Sequence, residues 1–112
     1  MTGPDRLVVL RKERDGRDHR NLWAYLDEAG DLHIDGQDLG PATKPVSNDG
    51  EYEWFRTIRA PDLPGLLEIL GGPAGADVLS FLASRYSGSG SYELESLLRK
   101  GDVPSELHVW GG

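Results

Sequence analysis

The sequence contains no cysteine. Disulfides and thiolate-held metals are excluded, and packing and polar contacts must hold the fold. This suits a reducing cytoplasm. Long apolar runs are missing too. Stretches such as Leu7 to Leu10 fall far short of the roughly 20 residues that a spanning helix needs. The opening Met-Thr-Gly-Pro-Asp-Arg has a proline and an acid where a targeting leader would have basic residues feeding an apolar run. A cytoplasmic chain away from membranes is the expectation. Only 3 histidines occur, and no serine sits in a Gly-x-Ser-x-Gly elbow. The 15 glycines form no phosphate-binding loop, because Tyr86-Ser87-Gly88-Ser89-Gly90 lacks the required lysine and outer glycine. They read as punctuation between elements.

What is present fits one domain, residues 1–112. A chain of this length buries roughly two-thirds of its surface, enough for one core. The net charge of -7 is unevenly spread. Residues 21–55 contain eight acids and a single cation, Lys44, whereas residues 1–20 are net basic. An acidic field repels nucleic acid and anionic membrane and attracts basic partners. The cations Arg11, Lys12, Arg14, Arg17 and Arg20 alternate with Glu13, Asp15 and Asp18, which cancels much of their charge and weighs against a nucleic-acid patch.

Periodicity separates the chain into two halves. Residues 1–5 read as a loose tail. Arg6 to Glu13 reads as a strand whose Leu7-Val8-Val9-Leu10 is apolar on both faces, as in a strand covered on both sides. A charged turn over residues 14–20, longer than two residues, precedes a strand from Asn21 to Asp27. That strand sets Leu22, Ala24 and Leu26 on one face and Trp23 and Tyr25 on the other. The second face is either buried or an aromatic patch for a partner. The turn Glu28-Ala29-Gly30-Asp31 leads to a strand over Leu32 to Asp35, completing the clearest hairpin. Residues 36–50 are rich in glycine, proline and polar residues and read as a long loop. Glu51 to Arg59 is a fourth strand, with Tyr52, Trp54, Arg56 and Ile58 on one face and Trp54 expected beneath a helical layer.

Helical spacing begins after residue 59. Leu63, Leu66, Leu67 and Leu70 form one stripe, stopped by Gly71-Gly72. Val78, Phe81, Leu82 and Arg85 form a second, with Asp77 at its start. Tyr92, Leu94, Leu97 and Leu98 form a third, with Ser89 or Ser91 as cap and Gly101 as stop. Leu107 to Trp110 returns as a strand. Four strands, two or three short helices and a last strand predict an α+β fold: a mainly antiparallel sheet with helices packed on one face.

The segment Asp27 to Asp38 is acid-rich but fails as a calcium loop. With Asp31 first, the twelfth position is Ala42, where a bidentate glutamate is needed. No metal site and no cofactor are predicted. His33 and Asp35 share a strand face and could form part of a general-base pair, but the polar face of a half-solvated strand explains them fully.

The motifs Asp35-Gly36-Gln37-Asp38-Leu39-Gly40 and Glu51-Tyr52-Glu53-Trp54, with the leucine helix ending at Gly71-Gly72, resemble small acidic proteins of high-GC actinobacteria. The overall layout is similar to immunity proteins of bacterial toxin systems. That resemblance implies an acidic α+β inhibitor and assigns no functional residue.

The expected function is a non-catalytic protein-binding module, of the immunity-inhibitor kind, presenting an acidic surface to a basic protein partner. The expected binding residues are Asp35, Asp38, Glu51 and Glu53, with Asp27, Glu28 and Asp31 at the hairpin tip; loop 36–50, including Asp49, borders them. Two alternatives stand beside it. One is a small hydrolase-like enzyme using His33 and nearby carboxylates such as Asp35 or Glu53. The other is an acidic nucleic-acid mimic.

Overall fold

The fold is described from a computed structural model, for residues 6–41 and 51–111. The expected tail 1–5 and residues 42–50 of the 36–50 loop, with Asp49, lie outside the described residues.

The architecture is α+β. Strands β1 (Leu7–Asp15), β2 (Asp18–Leu26), β3 (Leu32–Leu39), β4 (Glu51–Ile58) and β5 (Glu106–Gly111) form one antiparallel sheet in sequence order. Between β4 and β5 the chain makes a 3-10 turn (Ala60–Asp62) and helices α1 (Leu63–Leu70), α2 (Val78–Arg85) and α3 (Gly90–Lys100). No α-helix precedes residue 60 among the described residues, and none is long and apolar enough to cross a membrane.

Local chemistry explains the helix limits. Pro64 occupies the first turn of α1, where a missing N–H costs little. Gly71 ends that helix with a positive φ of 80°, which a side chain would resist. Asp77 caps α2 by accepting the Ser80 amide at 3.2 Å. Arg99 and Lys100 lie in the last turn of α3, against its negative dipole end. Ser91 does not cap α3; its hydroxyl donates to the Gly88 carbonyl at 2.5 Å.

One face of the sheet holds the core. Leu22 and Ala24 of β2, Leu32 and Ile34 of β3 and Ile58 of β4 are at most 1% exposed. They pack with Leu66 and Leu70 of α1, Leu79 and Leu82 of α2, and Leu94 and Leu98 of α3. A bulge between Val9 and Arg11 turns two successive β1 residues, Leu10 and Arg11, into the interior. The Gly88 amide donates to the Leu10 carbonyl at 2.7 Å, so the helical layer also satisfies the bulge.

Four expectations are corrected. β3 does not stop at Asp35; Gly36 to Leu39 continue the strand, opposite Glu51 to Trp54. The glycine that reads as a loop residue is a packing device. A Cβ on Gly36 would lie 2.1 Å from the Trp54 ring, so its absence lets the indole lie against the strand. The first turn is a two-residue hairpin rather than a long loop: Asp15 pairs with Asp18, and Gly16 alone takes positive φ, as a II′ turn requires. Strand β1 is covered on one face only, leaving Leu7 and Val9 half exposed. Trp54 packs against the core but is only partly buried.

Candidate functional site

The pleat sends alternate side chains to opposite faces of the sheet, and the helices cover only one. Across the uncovered face runs a central row in direct register: Val9, Trp23, Asp35, Phe55 and His108, one from each strand. On one side of it lies the row Leu7, Tyr25, His33, Thr57 and Glu106. On the other lie Asn21, Gln37, Glu53 and Trp110. Leu7, Val9 and Trp110 are each about half exposed, and Phe55 is 37% exposed. Large apolar side chains gathered on one open face mark an interaction surface more often than chance exposure does.

Asp35 lies at the centre of this face, between Trp23 and Phe55. Its Oδ1 is shut from solvent and accepts no hydrogen bond among the described residues. Burial pushes its pKa above the ordinary carboxylate value; His33 opposes the rise and Glu53 adds to it. Glu53, one row away, accepts a hydrogen bond from Gln37 Nε2 at 3.2 Å. The face therefore combines aromatic surface with two neighbouring carboxylates, one of them poorly solvated.

His33 is held on three sides. Its ring stacks on Tyr25 with centroids 4.7 Å apart and planes 9° apart. Nε2 lies 2.7 Å from Asp27 Oδ2, and Nδ1 lies 3.3 Å from Thr57 Oγ1. The chain Thr57–His33–Asp27 repeats the hydroxyl–imidazole–carboxylate order of hydrolases. Its surroundings suit a clamp better. Asp27 also accepts the Ala29 and Asp31 amides, at 2.9 and 3.1 Å, and so organises the β2–β3 turn. The His33 contact is the main reason its pKa is lowered. The imidazole thus ties that turn to β4, with both ring nitrogens engaged.

The seven acids singled out from the sequence divide among several environments. Asp35, Glu53 and Glu51 project to the open face, in register with Phe55, Gln37 and Leu39 respectively on or beside their strands. Asp38 points to the helix side, where its Oδ1 is likewise buried without a hydrogen bond among the described residues and burial raises its pKa. Glu28 is exposed at the hairpin tip, and Asp27 is engaged by His33. Asp31 is only 7% exposed; it pairs with Arg59 at 2.9 Å and accepts the Ala60 amide at 2.8 Å, fastening the hairpin to the 3-10 turn. The open face adds Leu7, Val9, Phe55 and Trp110, which sequence reading did not select. The available signal was the alternation Glu53-Phe55-Thr57 opposite Trp54. Among the described residues, no group of three or more histidines and acids is arranged to hold a metal ion.

No family model matches this chain, and no curated protein or solved structure matches it. Its function is therefore read from its own residues.

Proposed function

We propose that this chain is a non-catalytic protein-binding module that presents its open sheet face to a basic partner. The observation that carries this reading is the uncovered face itself: Val9, Trp23, Phe55 and Trp110 around the carboxylates Asp35 and Glu53. Aromatic side chains supply contact area at low entropic cost and recur as binding hot spots. Arginine, whose weakly hydrated guanidinium stacks on aromatic rings and pairs with carboxylates, is the complementary group on a partner. The acid-rich segment 21–55 adds long-range attraction for such a protein. An inhibitor of the immunity kind, covering the basic cleft of another protein, is the specific form we favour. The aromatic content of the face favours a protein partner over nucleic-acid mimicry.

Site-specific photo-cross-linking tests the reading. A photo-reactive residue at position 55 should capture a basic protein from the host. The same group at Ser84, exposed on α2, should not. Equal capture at both positions, or capture only at Ser84, would move the interface off the open face.

A further inference from the structure

A second surface feature lies on the helix side of the sheet. A cavity of about 260 Å³ opens between α3 and strands β3 to β5. Trp54, Leu107 and Val109 line it from the sheet and Leu98 from α3, while Arg56 and Arg99 contribute charge.

Arg56 is unusual among the cations of this chain. It is partly buried, yet among the described residues it makes no ion pair; its Nη1 donates to the Ser105 hydroxyl at 2.8 Å. Burial is the main cause of its lowered pKa; the positive charge of Arg99 adds to the lowering, and the negative charge of Glu95 opposes it. Glu95, one of two carboxylates at the cavity, pairs with Arg11 through Oε1 at 2.9 Å and lies 3.8 Å from Arg99 through Oε2, and makes no ion pair with Arg56. A partly desolvated guanidinium close to a second one, with a carboxylate nearby but no ion pair of its own among the described residues, can still take an anion. The remaining wall is apolar and aromatic. Ligand pockets commonly join such walls to a few convergent polar groups, and this volume lies just below their usual range of about 300–1,000 Å³.

We propose that this cavity binds a small organic carboxylate, with its anionic head on Arg56 and Arg99 and its apolar body against Trp54, Leu98, Leu107 and Val109. The planar guanidinium fork matches a carboxylate in two parallel hydrogen bonds. Asp38 and Glu95 also line the cavity and repel any anion, a dianion about twice as strongly as a monoanion, which favours a monoanionic carboxylate over a phosphate. The carboxylate belongs either to a free acid or to the C-terminus of a peptide. This site is separate from the open face and does not depend on its role.

The test is an NMR titration of the intact chain with 3-phenylpropanoate and with its neutral isostere 3-phenylpropanamide. A parallel pair is the peptide Ala-Ala-Phe with a free or an amidated terminus. A carboxylate should bind at least about tenfold tighter than its amide, as loss of a charged hydrogen-bonding partner implies, with shifts at the Trp54 indole and Val109. Arg56→Gln should abolish the preference. Arg99→Gln, at a side chain 63% exposed, should reduce it less. Preference for the free acid assigns a small-molecule site; preference for the peptide assigns a chain terminus. Equal binding of acid and amide, shifts elsewhere, or no binding of any probe at millimolar concentration would overturn the proposal. The acid–amide comparison uses the unaltered chain, so it decides the matter even if Arg56→Gln does not fold.

Discussion

The two faces of the sheet are built from the same strands but from different chemistry. On the covered face, Leu22, Ala24, Ile34 and Ile58 are closed off by the helices. On the open face, one residue along each strand, Val9, Phe55 and Trp110 meet solvent around a carboxylate whose Oδ1 has no hydrogen bond among the described residues. The covered face is optimised for stability. The open face retains apolar surface and a desolvated acid, both unfavourable for an isolated molecule. The contrast separates residues that fold the chain from residues available for recognition.

Substitutions on the two faces should therefore differ in size and kind. The largest effect belongs to the covered face: Leu22→Ala removes a fully buried side chain and should cost about 2–5 kcal/mol, measured by urea unfolding. Gly36→Ala should cost about 1–3 kcal/mol, the usual penalty of overpacking, because its new Cβ meets the Trp54 ring. A shift in indole fluorescence should accompany that loss. Phe55→Ala, on the open face, should cost less than about 1 kcal/mol of stability, as surface changes do, while weakening partner binding. A stability loss as large as that of Leu22→Ala would erase the distinction between the faces.

The smallest stability effect should have the opposite sign. Folding raises the pKa of Asp35, so the folded state holds its proton more tightly than the unfolded state. Stability then falls as pH rises from the ordinary carboxylate value through the raised one. Asp35→Asn removes this penalty. Its advantage in melting temperature should be absent in acid below the ordinary value and fully present at neutral pH. Asp27 behaves in reverse: its pKa is lowered, so its stabilisation is present above the ordinary value and is lost as pH falls through the lowered one. Asp27→Asn should therefore destabilise the protein at neutral pH, with little effect in strong acid.

Much of the fold was legible in the sequence because local signals agreed with tertiary structure. The alternation of Leu22, Ala24 and Leu26 against Trp23 and Tyr25 identified β2 and its two faces. The leucine stripe of α1 with Gly71, and Asp77 before α2, marked helices and their limits. The errors arose where the deciding partner is distant in sequence. Gly36 reads as a breaker until Trp54 is seen to need the space. Arg11 reads as one of a run of cations cancelled by neighbouring acids, yet it is 3% exposed and pairs with Ser91 and Glu95 of α3, both at 2.9 Å. A one-residue bulge reversed its side, and no local pattern reports a bulge. The candidate site was legible in part. Acid content drew notice to Asp35 and Glu53, but the same composition included Asp31, which fastens the hairpin, and Asp38, which faces the helices. Only strand register divides one set from the other.

The central claim is that the open face exists for a partner rather than for the fold. Asp35→Asn tests it most directly when melting temperature and affinity for the cross-linked partner are measured on the same sample at neutral pH. The account predicts opposite signs: a higher melting temperature than the unaltered chain and weaker binding. Unchanged binding, or a fall in both quantities, would contradict it.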